Sequence, residues 1–433
     1  MSSDADDRSP DGAAPTRIVD FRKGLLLRYP ALGYALYRRY FLASLASVGA
    51  QQFVGLAQGW LVFRLSHSAV QLGVLGAATA LPNIVLSLFG GVLADRFDKR
   101  AIQLCTSALT ATLLFTLAVL DFTGVVEVWH VWTIAGLCAV ISGIEWPTRQ
   151  AYFPHLIERG ALMSAVTLNA FVWQVTRMVI PALGGLLIAY VATWFLFVLS
   201  GFGIVTMFLV MWWIPVRTTP TPTTHSTARQ IFDGLHFIWT NELFRWLIGL
   251  SYCGMFFAFA YMQILPVFLR ALGASATGYG FLFSASGFGS VAGTLLVGEL
   301  QHKRPLGVIL LAGAILSGLC LYGFAVAVAL GWYPLALVAV FFAALFSSLS
   351  AITTLTALQL EVPDALRGRV MGTQSITYSL MPLGALAMGA VAEHGTPVLA
   401  VALGATIYVL FGIAVAIGRP SIRALDAQTL GAR

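Results

Sequence analysis

Gly91-Val-Leu-Ala-Asp-Arg-Phe-Asp-Lys-Arg100 is the stretch that decides how the rest of the chain reads. It lies between two long apolar runs, one ending near Leu93 and one starting near Ala101. Five of its last six residues are charged. A gap that short leaves room only for a tight turn, so the two runs it joins are antiparallel neighbours.

Outward from this turn, the composition excludes a soluble protein. Charged residues make up 10% of the chain and apolar residues 58%, whereas a soluble domain carries roughly a quarter charged. So much Leu, Val and Phe has nowhere to go except lipid. The 42 glycines fit, because glycine lets membrane helices approach closely. Cys105, Cys138, Cys253 and Cys320 all lie in apolar runs without a Cys-x-x-Cys pair, and read as small packing residues.

Twelve apolar runs reach the length of about 20 residues that a helical span needs. They cover 40–63, 70–94, 101–122, 129–149, 162–190 and 193–214, then 246–268, 278–300, 306–328, 331–355, 368–392 and 397–418. The expected organisation is a cytoplasmic N-terminal segment (1–37), a six-helix bundle (38–214), a cytoplasmic linker (215–245), a second six-helix bundle (246–418) and a cytoplasmic tail (419–433). The linker opens on a Pro- and Thr-rich extended stretch, and 231–245 is expected to end it with a short amphipathic helix. No basic, apolar and cleavable leader is visible at the start. If the termini, the linker and the even-to-odd turns share one side, that side holds all but three of the 25 Lys and Arg residues. The exceptions are Arg64, Arg177 and Arg270. The positive-inside rule makes that side the cytoplasm, with both termini on it. The net charge of +7 is therefore a topology signal and not a nucleic-acid footprint.

The halves repeat each other. Gln150-x-x-x-Pro154 closes span four and Gln359-x-x-x-Pro363 closes span ten. Trp173, Arg177 and Pro181 recur every four residues in span five, as do Gln374, Tyr378 and Pro382 in span eleven. Parallel six-helix repeats are one way that secondary transporters build a central site.

The pattern Gly-x-Leu-Ala-Asp-Arg-x-Asp-Lys-Arg resembles the loop 2–3 signature of the major facilitator superfamily, with Asp98 where that signature usually has glycine. Ala57-Gln-Gly-Trp-Leu-Val-Phe-Arg-Leu65, Leu168-Asn169, Pro181-x-x-Gly184-Gly185 and Pro363-Asp-Ala-Leu-Arg-Gly-Arg369 are similar to its enterobactin-exporter and macrolide-efflux-like branch. The resemblance implies an all-α membrane protein of twelve transmembrane helices in two pseudo-symmetric six-helix bundles. It implies a cytoplasmic gate of Gly91, Asp95, Arg96, Lys99, Arg100 and Arg149, in which Asp95 meets Arg149 and the start of span eleven. Pro181, Gly184 and Gly185 match the end of the antiporter signature of helix five. Ile180 stands where that signature has glycine, and its upstream glycines are missing.

Arg177 lies near the middle of span five, where a charge faces protein or water. Helical spacing stacks Asn169, Trp173, Arg177 and Pro181 on one face. That face either lines a central cavity, with Arg177 meeting an anionic or carbonyl-rich substrate, or carries a structural charge satisfied by helix-end carbonyls or Glu145. Gln51 and Gln58, Asn83, Gln263, Gln374 and Tyr378 are candidates for the same wet cavity, or for hydrogen bonding between helices. Phe256, Phe257, Phe259 and Tyr261 would supply an aromatic wall or face lipid.

None of the 18 Asp and Glu residues falls near a span midpoint. Glu145 is placed near the inner end of span four and Asp121 near the outer end of span three. Proton coupling, which the resemblance suggests, therefore finds little support. It would need Asp95, Asp121, Glu145, His67 or His394. No P-loop, dinucleotide fingerprint or metal-ligand spacing is present, so neither enzymatic activity, a cofactor nor a metal is expected. The expectation is a transporter of the bacterial inner membrane, exporting a medium-sized amphipathic molecule such as a drug-like compound or siderophore by alternating access. Its expected partners are that small molecule, the bilayer and, for coupling, protons, with a monomer as working unit and no nucleic acid. The rivals are an importer or lipid-handling facilitator, since fold does not set direction, and a scaffold or receptor that kept the fold. An open polar-lined cavity would favour transport, and a plugged one the scaffold.

Overall fold

The computed structural model describes residues 29–216, 238–301, 303–362 and 377–425. The first six helices are α1 (Ala35–Ser66), α2 (Ala69–Arg96), α3 (Lys99–Phe122), α4 (Val128–Tyr152), α5 (Leu162–Tyr190) and α6 (Thr193–Trp213). They are followed by α7 (Glu242–Cys253), α8 (Ala276–Leu300), α9 (Leu306–Leu330), α10 (Tyr333–Glu361), α11 (Thr377–His394) and α12 (Pro397–Gly418). Among the described residues ten helices are long and apolar enough to cross a membrane, and α2 and α11 complete the twelve. In lipid the backbone must satisfy its own polar groups, which is why each apolar run becomes a helix.

The turns between spans are closed by local chemistry. Ser68 caps α2 by accepting from the Gln71 N–H (3.2 Å), and Thr396 caps α12 by accepting from Leu399 (3.1 Å). Asp98 caps α3 by accepting from Arg100 (3.2 Å), which gives a local reason for an aspartate where the superfamily signature has glycine. Residues 363–376 lie outside the described residues, as do 231–237 of the linker helix expected over 231–245; 238–240 are helical, and Asn241 then caps α7.

The seventh span differs from the continuous helix that its hydropathy suggests. After Cys253 it passes through a π-helical turn (Gly254–Ala258) and a 3-10 turn (Ala260–Met262), then restarts as Leu265–Ala271. Pro266 lacks a backbone donor and sits in the first turn of the restarted helix, where none is needed.

Helices α1–α6 and α7–α12 form two bundles that meet along two seams, α5 against α8 and α2 against α11. Both seams are backbone-close. A Cβ on Gly280 would lie 2.3 Å from the Pro181 carbonyl oxygen and 2.9 Å from the Gly185 Cα, and one on Gly76 would lie 2.9 Å from the Pro382 oxygen. Only glycine fits there. Arg38, Arg39, Lys99, Arg100, Arg149, Arg245, Arg304 and Arg419 gather at one end of the molecule, here the basic end. The seams belong to the half nearer the opposite, far end.

Candidate functional site: a vestibule between two bundles

The space between the bundles is sealed at the far end. The α5–α8 seam runs from Gly185 against Ala276 and Gly280 down to the Arg177 and Met178 backbone against Gly287. Trp60 of α1 stacks obliquely on Tyr279 of α8, with ring centroids 5.7 Å apart. Two polar contacts cross between bundles beside these rings. Arg270 meets His67 at 3.3 Å, and Glu393 accepts from the Ser68 hydroxyl (2.6 Å) and the Val70 N–H (3.0 Å). A carboxylate from one bundle thus caps the first turn of a helix in the other. The Ser68 and Val70 donors hold the Glu393 carboxyl below its ordinary range.

Nearer the basic end the same helices part. Met163 at the start of α5 is 77% exposed and Leu295 near the end of α8 is 70% exposed. The glycine contacts of this seam end at Gly287, and a Cβ on Gly298, further towards the basic end of α8, would meet nothing within 4 Å; we read the space beyond as a vestibule open to the basic end. Its α4–α5 wall is aromatic and polar. Trp146 meets Trp173 edge-to-face at 5.2 Å, and the Asn169 amide donates to Gln150 Oε1 (3.3 Å). Arg177 is half-buried higher on that wall, within electrostatic range of Tyr261 in the other bundle.

Each bundle holds a cavity. The N-terminal one, about 250 Å³, is lined by Gln51, Gln58, Thr79, Asn83, Ser142 and Glu145. Three residues expected to share a wet cavity, Gln51, Gln58 and Asn83, are indeed brought together. Gln58 is buried and its Nε2 has no partner among the described residues. Glu145, read from sequence as near a helix end, is buried (6% exposed) in the wall of this cavity. Its place in the last third of α4 agrees with the position read from sequence, and its burial is what the sequence did not show. The C-terminal cavity, about 280 Å³, lies beside the π-helical turn. Its walls carry the hydroxyls of Ser251, Ser347, Ser350, Thr354, Thr377 and Tyr408, none of which sequence reading singled out. A π turn widens the helix and often marks a functional site. Gln263 is half-buried beyond that turn. Gln374 lies outside the described residues, as does the side chain of Tyr378.

Pro181, Gly184 and Gly185 turn out to be packing elements. Pro181 and Gly185 form the seam with α8, and Gly184 faces Leu56 and Phe53 inside its own bundle. At the basic end Arg100 donates to the carbonyls of Met211 (3.0 Å) and Trp212 (2.7 Å), a cation on the C-terminus of α6. Lys99 is buried. Arg149 is 4% exposed, and its Nε and Nη2 have no hydrogen-bond partner among the described residues. Gly91, Asp95 and Arg96 complete the last turns of α2, and their side chains lie outside the described residues.

Residues 29–433 match the family described as transmembrane secretion effectors. The chain is 25% identical over 382 residues to the enterobactin exporter EntS of Shigella boydii serotype 18, covering 86% of this chain and 88% of the relative. It is equally similar to the EntS of Escherichia coli O81. Among solved structures it resembles the nucleoside transporter NupG (TM-score 0.70, 11% identity, 90% of this chain and 98% of that one). It also resembles a bacterial homologue of the iron transporter ferroportin in an inward-facing state (TM-score 0.67, 14% identity, 87% and 98%). A bacterial homologue of the lysosomal transporter Spinster, inward-facing and unoccupied, aligns with a TM-score of 0.64 at 15% identity over 91% and 96%.

Proposed function

The chain belongs to the transmembrane secretion effectors of the major facilitator superfamily, and on that premise we propose that it exports an amphipathic, siderophore-like molecule from the cytoplasm by alternating access. The observation that carries this reading is the vestibule, sealed at the far end by two glycine seams and open at the basic end. The excess of Lys and Arg at the open end makes that end cytoplasmic, with both termini there. The structure is then the state that loads from inside.

The two open cavities favour transport over a scaffold that merely kept the fold. Trp146 and Trp173 offer faces for the apolar part of a substrate. Arg177 and the hydroxyls of the C-terminal cavity offer donors to its carbonyl and phenolate oxygens. Asp95, Arg96, Lys99, Arg100 and Arg149 form the gate that closes the basic end when the far end opens. The monomer is the working unit, because each chain holds a complete vestibule.

Everted membrane vesicles with and without the protein test this reading. Radiolabelled enterobactin and a panel of amphipathic drugs serve as probes. Accumulation above the control for one of them supports export. No accumulation of any probe, or uptake by right-side-out vesicles instead, overturns it.

A further inference from the structure

The two bundle cavities differ in the chemistry of their walls. The N-terminal one carries the side-chain amides of Gln51, Gln58 and Asn83 and the Glu145 carboxylate. No residue lining the C-terminal one is charged, and none has a side-chain amide. Its polar side chains are hydroxyls: Ser251 from α7, Ser347, Ser350 and Thr354 from α10, Thr377 from α11 and Tyr408 from α12. The three on α10 recur at helical spacing and so share one face. Met255 and Phe259 of α7 supply apolar contact between them.

Three of these hydroxyls have protein partners. Ser251 donates to the Leu247 carbonyl oxygen (3.3 Å), and Ser350 and Tyr408 bond each other. The Thr377 hydroxyl has no partner among the described residues, although Thr377 is only 3% exposed. A buried polar group left unpaired costs free energy, and this one borders open space. The cavity is also held in shape by backbone contacts. The π-helical turn lays the backbone of Phe256 against Gly384 of α11 and that of Phe257 against Gly404 of α12, too close for a Cβ on either glycine. The Tyr408 ring covers Gly254, where a Cβ would lie 3.1 Å from it. A site fixed in this way need not be assembled by its ligand. Ala351 and Leu355 on its rim are exposed.

We propose that the C-terminal cavity is a subsite for an uncharged ring bearing hydroxyl or carbonyl groups, entered past Ala351 and Leu355, with Thr377 as its specificity-determining residue. The inference rests on the export reading for the origin of that ring, as one arm of a larger amphipathic molecule. At about 280 Å³ the cavity is at the lower edge of ligand pockets. It has room for one substituted ring and leaves the rest of the molecule in the vestibule. Hydroxyls both donate and accept, so they suit a neutral phenol or carboxamide in more than one orientation. A carboxylate or ammonium group would lose its hydration there and meet no opposite charge. An anionic part of the same molecule is left to Arg177. Thr377 decides the fit because its hydrogen-bonding capacity is still unused.

Equilibrium binding to the full chain in nanodiscs tests this without transport. Its failure leaves the export reading standing, and a failure of export leaves the subsite standing. The probes are meta-hydroxybenzamide, uncharged at neutral pH, and meta-hydroxybenzoate, which has the same shape and is ionised. Methyl spectra of protein labelled with carbon-13 methionine follow Met255, whose signal is the one lost in Met255→Leu. The amide is expected to shift that signal in the wild-type protein, and the benzoate to need at least about tenfold more ligand for the same shift. Thr377→Val keeps the side-chain shape, drops the hydroxyl and is expected to weaken the amide about 2–10-fold. Thr353→Val removes a hydroxyl that is equally buried and unpartnered but does not line the cavity, and is expected to stay within about twofold of wild type. A Met255 signal that neither probe moves, an equal response to both, or an amide affinity that Thr377→Val leaves unchanged overturns the proposal.

Discussion

Gly280→Ala puts the far-end seal under direct test. The added methyl would lie 2.3 Å from the Pro181 carbonyl oxygen, 2.9 Å from the Gly185 Cα and 3.0 Å from the Gly185 nitrogen. All three are backbone atoms, so no side chain can swing aside. The α5–α8 seam must widen by roughly an ångström or distort, and overpacking of this kind costs about 1–3 kcal/mol. The contact exists only while the far end is closed, so the cost falls on that state alone. A shift of that size changes the ratio of the two states by about 5–150-fold. Spin-label distances would report it. One pair, at Met163 and Leu295, spans the basic mouth, and another, at Tyr190 and Leu330, spans the far end. The exposed native Cys105 is replaced first. Gly280→Ala is expected to shorten the first distance and lengthen the second. Gly55→Ala, whose methyl would meet nothing within 4 Å, serves as the control. If Gly280→Ala leaves both distributions unchanged in a folded protein, the seam is not the seal and the argument from glycine packing fails.

Other perturbations reach other parts of the account. The carboxyl of Glu393 is held low by its cross-bundle donors, so its contribution to far-end closure is present above the ordinary carboxylate value and is lost as pH falls through the lowered one. Being exposed, it is worth about 1 kcal/mol at most. Glu393→Gln at neutral pH should therefore show the far-end distances that wild type reaches only in acid, and identical pH profiles would refute this. Asp121→Asn weakens a buried carboxylate that accepts from both Arg64 and the Thr193 hydroxyl. With Arg64 partly solvated (45% exposed), we expect a loss of about 1–3 kcal/mol, seen as a lower melting temperature at unchanged far-end distances. Trp173→Ala removes one ring of the vestibule pair and should raise the apparent KM for the exported molecule by about 2–10-fold. An unchanged KM would take that wall out of substrate contact.

The residues that carry a periodic or family signal were legible in the sequence. Apolar runs gave the spans because lipid demands uninterrupted hydropathy, and Gly91–Arg100 gave the superfamily because its charges sit in a turn of fixed length. The break in α7 was not legible, since a π turn leaves hydropathy unchanged. Pro181 and Gly185 read as an antiporter signature, yet their visible work is backbone packing against α8. Such pairing lies between elements far apart in sequence. The position of Glu145 was legible but its burial was not, because depth within a bundle depends on what surrounds a helix.

The central claim is that the vestibule between the bundles must open at the basic end for transport to proceed. A reducible cross-link between Met163→Cys and Leu295→Cys tests it most directly, in everted vesicles loaded with whichever probe the protein accumulates. The account predicts that oxidation stops accumulation and that reductant restores it. Undiminished accumulation by a fully cross-linked protein would contradict it.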